Sequence, residues 1–226
     1  MNSPTRIKYL AAVVLAAFAL LAPTVSHAAE KKPRTKKHTG TYSTSDGKSG
    51  TFENTTTKTK GERQSNTTWT NQDGGTGSRT SDRQRDKATG TGTFSENTTL
   101  ANGKSATVQG TTKKNEDGTI STEATRTGFN GKTESLATTT TKTENGRTTT
   151  GTITNENGKT ATINTTATHG DGQANKTTVI NGPNGKIAER VVSTTKNSDG
   201  SGTRVIEVTK PDGTTETRTE HFTATP

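Results

Sequence analysis

The residue types that most often carry enzyme chemistry are sparse and widely separated in this chain. Cysteine is absent, and of the four histidines only His38, His169 and His221 lie beyond residue 28. A zinc site or a nucleophile–base pair needs such side chains to converge from neighbouring elements. No such pattern is present, so we expect a non-enzymatic protein with no catalytic residue, no metal and no cofactor.

Two stretches resemble parts of calcium-binding loops, but each lacks essential ligands. Residues 74–79 (GGTGSR) place Arg79 where a calcium-binding nonapeptide carries Asp. Residues 197–200 (NSDG) resemble part of an EF-hand loop, in which Thr195 and Ile206 would take the first and twelfth positions. Those positions normally hold acidic side chains. Neither stretch therefore predicts a calcium site.

The first 28 residues have the features of a secretory signal peptide. Arg6 and Lys8 precede an apolar run over residues 10–22, and small residues occupy the two positions that specify cleavage, Ser26 and Ala28. The run is shorter than the roughly 20 residues that span a bilayer. We predict cleavage after Ala28 and export to the extracellular space or cell surface, with the periplasm as an alternative. No transmembrane segment is expected in the mature chain.

A short basic segment follows the predicted cleavage site. Residues 29–38 (AEKKPRTKKH) contain several cations, one acidic residue and no apolar side chain longer than Ala or Pro. Such a segment is expected to be disordered and suited to anionic surface polymers. Specific nucleic-acid binding is not expected, because aromatic residues make up only 4% of the chain. The candidate polyanion-binding residues are Lys31, Lys32, Arg34, Lys36 and Lys37.

A repeat of about 28 residues organises the Thr-rich region 39–226. Turn-forming glycines recur in two interleaved series. The first series is Gly47, Gly74, Gly103, Gly131, Gly158, Gly185 and Gly213, and the second is Gly61, Gly90, Gly118, Gly146, Gly172 and Gly200. Asn-Gly and Asp-Gly pairs suit two-residue type I′ hairpin turns, in which both central residues have positive φ. The intervening Thr-rich segments of about ten residues favour β-strands.

These features predict an all-β fold, an extended antiparallel meander of about a dozen short strands. A β-solenoid with about 28 residues per coil is the alternative. Hydrophobic residues make up 22% of the chain, and many of them lie in the first 28 residues. Partial disorder in the N-terminal half is therefore a further possibility. Residues 78–91 (SRTSDRQRDKATGT) in particular show no apolar face.

Repetition without a catalytic site favours a structural or adhesive component of the cell surface or extracellular matrix. An open meander has two unpaired edge strands, through which the protein could assemble with itself. One alternative is a periplasmic accessory protein. Another is a binding module that recognises ice or carbohydrate through a flat threonine array. Its candidate residues are Thr148, Thr150, Thr152, Thr154, Thr160, Thr162, Thr166 and Thr168.

Overall fold

The computed structural model describes residues 33–225, which form fourteen antiparallel β-strands. The predicted signal peptide (1–28), Lys31 and Lys32 lie outside the described residues. The strands are β1 (Arg34–Thr44), β2 (Ser49–Lys58), β3 (Glu62–Asn71), β4 (Thr76–Arg85), β5 (Thr91–Thr99), β6 (Ser105–Lys114), β7 (Ile120–Thr127), β8 (Thr133–Thr143), β9 (Gly146–Asn155), β10 (Thr160–Gly170), β11 (Gln173–Asn181), β12 (Ile187–Lys196), β13 (Gly202–Thr209) and β14 (Thr215–Thr225).

The sheet closes into a barrel. Each strand pairs with the next strand in the chain, and β1 also pairs with β14, with Gly40 opposite Phe222 and Tyr42 opposite Glu220. The predicted all-β meander is confirmed. The solenoid alternative is wrong, because successive strands are antiparallel neighbours. Closure also leaves no unpaired strand edge within residues 33–225.

The two glycine series lie at opposite ends of the barrel. Loops of the first series join each odd-numbered strand to the following even-numbered strand at what we call the far end. Loops of the second series join even-numbered to odd-numbered strands at the mouth end, where β1 begins and β14 ends. One sequence repeat is therefore one hairpin together with its connection to the next.

Most hairpin loops differ from the predicted two-residue type I′ turn. Between β10 and β11, Asp171 (φ 49°) and Gly172 (φ 74°) both have positive φ, as that turn requires. In the loop after β1, only Gly47 has a positive φ, of 80°. It donates its N–H to the carbonyl of Thr44 at 3.0 Å, while Thr44 donates to the carbonyl of Lys48 at 2.8 Å. This is a type I turn followed by a left-handed glycine, and Asp-Gly or Asn-Gly suits it equally well.

The strand register gives every strand residue an inner or an outer position. Ile163, Ile180 and Ala188 are buried on the inner face, where Leu136, Ile153 and Ala161 pack against them. The outer face is mainly Thr with other polar residues. Its apolar members are Ala137, Val179, Ile187, Val191 and Val205. The alternation in the sequence thus separates a polar wall from an interior that holds the few large apolar side chains.

Five inner aromatic rings each cover a glycine directly opposite on the neighbouring strand. A Cβ atom added at any of these glycines would lie 2.3–2.9 Å from a ring atom. The ring shields the glycine backbone and fills the space of two side chains, which lets few apolar residues cover much of the wall. The pairs are Tyr42 with Gly50, Phe52 with Gly40, Trp69 with Gly77, Phe94 with Gly110, and Phe222 with Gly202.

Two expectations of disorder are wrong for the described residues. β4 covers much of the stretch without an apolar face, and it pairs along its length with β3 and β5. Its inner positions carry Arg79 and Arg83, so a basic face replaces the missing apolar one. The basic segment 29–38 likewise enters β1 at Arg34, so residues 34–38 are strand.

The register also sets the width of the barrel. A path that steps from a residue of β1 to its partner on each next strand returns to β1 about 16 residues further along. This offset is the shear of the barrel. For fourteen strands in a circular barrel, this shear gives a strand tilt of about 40° and a radius of about 13 Å at the backbone. Long inner side chains from opposite walls therefore extend towards a shared central space.

Candidate functional site

Charge is divided unequally between the two faces of the wall. Inner strand positions hold sixteen cations and four carboxylates, whereas outer positions hold two cations and six carboxylates. The inner cations are Arg34, Lys36, Lys58, Arg63, Arg79, Arg83, Arg85, Lys114, Arg126, Lys142, Arg147, Lys176, Arg190, Lys196, Arg204 and Arg218, and the inner carboxylates are Glu96, Glu134, Glu216 and Glu220. The closed sheet therefore directs most of its positive charge inward.

Each inner carboxylate already has a cationic partner. The ion pairs are Arg79–Glu96 (2.5 Å), Arg126–Glu134 (3.2 Å), Arg204–Glu220 (3.2 Å), Arg218–Glu220 (3.0 Å) and Lys210–Glu216. The carboxylates of these pairs occupy inner positions in the middle of the barrel and towards its far end. The carboxylates of the inner face thus do not balance the cations nearest the mouth.

A ring of cations, the basic mouth, lies among the inner positions close to the mouth end. Most of these side chains are exposed, while Arg63 and Arg85 are half-buried. Arg34 lies directly opposite Lys58, Lys58 opposite Arg63, and Arg63 opposite Arg83 of the deeper interior. The basic mouth consists of Arg34, Lys36, Lys58, Arg63, Arg85, Lys114, Lys142 and Lys196. Four successive strands therefore present a continuous row of like charges, an arrangement that destabilises a sheet.

The electrostatics of the mouth reflect this crowding. Burial lowers the pKa of Lys58, and the positive charges of Arg63, Lys36 and Arg34 lower it further. Burial is also the main cause of the lowered pKa of His38, followed by the charges of Lys36 and other cations. Each shift disfavours the protonated form, so the mouth is a site of mutual cation repulsion. A bound anion would relieve that repulsion.

The field of the cations extends across the interior. Burial, followed by the charges of Arg190, Arg147, Arg83 and Arg79, lowers the pKa of Lys176 to about 7. Arg79 and Arg83 lie on β4, which is seven strands away from β11 in either direction around the wall. Opposite walls therefore contribute to one positive region.

Carboxylates also occur in the loops at the mouth end, where several serve the turns. Asp86 accepts a hydrogen bond from the N–H of Ala88 at 2.8 Å, and Asp117 accepts one from the N–H of Thr119 at 2.9 Å. Hydrogen bonds to these loop residues lower the pKa of both carboxyl groups. These carboxylates hold the hairpin loops in shape.

The residues predicted to bind polyanions are divided by the strand register. Arg34 and Lys36 occupy exposed inner positions of the basic mouth. Lys37 lies on the outer face and pairs with Glu53 at 2.9 Å. Sequence reasoning placed most of the excess charge in the N-terminal segment and missed the cations on later strands. Their signal was alternation, since Arg79, Ser81, Arg83 and Arg85 recur at every second position.

The predicted threonine array lies on the outer face of β9 and β10. Thr148 is opposite Thr166, Thr152 opposite Thr162, and Thr154 opposite Thr160, while Thr150 and Thr168 continue the same face. Most of these side chains are exposed. Strand geometry spaces such hydroxyl and methyl groups by about 4.8 Å between strands and about 6.8 Å along each strand. The fold therefore brings all eight residues onto one patch.

The histidines are not brought together. His38 faces inward, with its ring centroid 6.2 Å from that of Phe222, whereas His221 faces outward beside the hydroxyl of Thr203 at 3.2 Å. His169 is exposed near the mouth end of β10. Residues 33–225 contain no group of three or more His, Asp or Glu that could hold a metal ion. The same part of the chain has no helix with the length and apolar character needed to cross a bilayer.

No protein-family model, curated protein or solved structure matches this chain. The distribution of charge over the barrel is therefore the strongest indication of function.

Proposed function

We propose that the protein is an exported, non-enzymatic component of the cell surface or extracellular matrix that binds anionic polymers at its basic mouth. The row of Arg34, Lys58 and Arg63 carries this proposal. Like charges directly opposite each other reduce sheet stability. A polyanion would turn the same row into a set of favourable contacts, with a gain that depends on salt concentration.

An acidic polysaccharide is a better partner for this mouth than a nucleic acid. Proteins that bind single-stranded nucleic acids stack the bases on aromatic side chains. Here the inner aromatic rings of Phe52, Trp69 and Phe94 already cover glycines on neighbouring strands. The exposed lysines and arginines of the mouth can contact sulfate or carboxylate groups without stacking.

Retention on immobilised heparin, a sulfated polysaccharide, tests the proposal. The variant Lys58→Gln/Arg63→Gln removes two adjacent cations of the mouth. The control Lys104→Gln/Lys159→Gln removes the same charge from exposed loops at the far end. We expect the mouth variant to elute at clearly lower salt than the wild type and the control to elute close to it. An equal decrease in the salt concentration at elution for both variants would show that net charge alone governs retention and would refute the proposal.

A second candidate function is carbohydrate or ice binding by the threonine array. Register supports it, because exposed threonines lie directly opposite one another on β9 and β10. The variant Thr152→Lys/Thr162→Lys disrupts the patch at its centre. The control Thr93→Lys/Thr111→Lys alters an exposed outer threonine pair on β5 and β6. We expect only the first variant to lose thermal hysteresis activity or the ability to bind insoluble polysaccharide. The absence of both activities in the wild type would exclude this function.

A further inference from the structure

Cations from opposite walls extend into the interior next to the basic mouth. Arg79 and Arg83 occupy inner positions of β4, and Arg147, Lys176 and Arg190 occupy inner positions of β9, β11 and β12. All five side chains belong to half-buried residues. We call these five residues the luminal cluster. The influence of Arg79 and Arg83 on Lys176 shows that the two walls share one electrostatic environment.

The four arginines of the luminal cluster outnumber the carboxylates near them. Glu96 pairs with Arg79 at 2.5 Å, and Glu220 is already held by Arg204 and Arg218. The four arginines and Glu96 leave a local charge of about +3, which makes their partial burial costly. In addition, the Nε atom of Arg190 is buried without a hydrogen-bond partner in the described structure.

We propose that the luminal cluster binds a compact anion with three or four negative charges, of the oligophosphate class. The inference rests on the anion-binding function proposed above, but it uses a different set of residues. Phosphate oxygens match the planar fork of the guanidinium group, and four members of the cluster are arginines. An oligophosphate carries enough charge to balance the cluster and can be contacted from both walls at once.

Phosphate groups of this kind occur in free oligophosphates and in long phosphate polymers. A polymer would have to pass the basic mouth and contact it on the way. Its affinity should therefore depend on Lys58 and Arg63 as well as on the luminal cluster. A free oligophosphate should depend mainly on the luminal cluster. Inorganic tripolyphosphate and long-chain polyphosphate are thus the two probes that distinguish the sources.

The first test uses the unmodified mature protein. Calorimetric titration with tripolyphosphate should show saturable binding of one anion per chain, and the anion should raise the unfolding temperature. Sulfate at the same ionic strength should have a much smaller effect, because it carries only two charges. The absence of saturable binding, or equal stabilisation by sulfate, would overturn the inference even if retention on heparin supports the proposed function.

The second test separates the luminal cluster from the mouth. In Arg83→Gln/Arg190→Gln we expect about hundredfold weaker tripolyphosphate binding, or about tenfold for each lost charge-assisted contact. The Lys104→Gln/Lys159→Gln control should bind like the wild type. The Lys58→Gln/Arg63→Gln variant should lose more affinity for long-chain polyphosphate than for tripolyphosphate. Unchanged tripolyphosphate affinity in a folded Arg83→Gln/Arg190→Gln variant would overturn the assignment.

Discussion

The indole of Trp69 covers Gly77, its direct partner on β4, so closely that a Cβ atom at Gly77 would lie 2.3 Å from the ring atom Cζ2. Such a distance is well inside van der Waals contact, so a side chain at this position would force the indole to move. Gly77 itself is buried. The pair therefore fixes two strands against each other through one ring.

We expect Gly77→Ala to destabilise the barrel by about 1–3 kcal/mol, because overpacking forces neighbouring groups from their preferred positions. Gly170→Ala is a suitable control, because a Cβ atom there meets nothing within 4 Å and its φ is not positive. The control should change stability by no more than about 0.5 kcal/mol. Urea denaturation followed by circular dichroism measures both, and equal effects would contradict the packing role of Trp69.

Adjacent residues on β11 test the assignment of inner and outer faces. Ile180 is 2% exposed and lies opposite Ile163 and Ala188, whereas Val179 is on the outer face opposite Asn164 and Glu189. Ile180→Asn should cost about 3–4 kcal/mol, because it removes apolar contacts and buries an amide. Val179→Asn should cost less than about 1 kcal/mol. Chemical denaturation measures the free energy of unfolding of the two variants. Similar losses of stability would mean that the faces are assigned wrongly.

The depressed pKa of Lys176 predicts how stability changes with pH. Lys176 titrates near pH 7 in the folded barrel and near its ordinary value of 10.5 in the unfolded chain. Between these values the unfolded chain binds more protons, so stability should rise as the pH increases from 7 towards 10. Lys176→Met removes this contribution. Unfolding temperatures measured from pH 6 to pH 9.5 should therefore rise less in the variant, and parallel profiles would refute the depressed pKa.

Closure of the barrel predicts that the intact protein does not grow by edge pairing. Deleting residues 215–226 removes β14 and leaves β1 and β13 with unpaired edges. Such edges are templates for association with other chains. We expect the chain 29–226 to elute as a compact species and the truncated chain to form larger, thioflavin-positive assemblies. A truncated chain that stays monomeric and folded would show that pairing of β1 with β14 is not needed to prevent association.

The sequence was sufficient to predict the repeat, the strand type and the alternation, because these properties depend on neighbouring residues. The turn type was harder to predict. Asp46-Gly47 and Asp171-Gly172 look alike in sequence, yet only the second pair has positive φ at both positions. The hydrogen bond between Thr44 and Lys48 closes a loop of three residues, one more than the two between Gly170 and Gln173, and the extra residue allows the type I turn.

Closure and the basic interior could not be predicted from local patterns. The contact between Tyr42 and Glu220 joins the two ends of the described chain, and no local signal marks it. In β4, both faces are polar, so the sequence alone does not show that Arg79 and Arg83 point inward. Their direction follows from the neighbouring strands, where Trp69 and Phe94 belong to the same face.

The placement of the two glycine series at opposite ends has a consequence for how this architecture can change in evolution. Duplication or loss of one repeat would add or remove one hairpin, so the number of strands would remain even and the two chain ends would still meet. For strands of similar tilt, each such step would change the barrel radius by about 2 Å. Duplication of repeats could therefore change the radius of the barrel in fixed increments, without any new type of loop or strand.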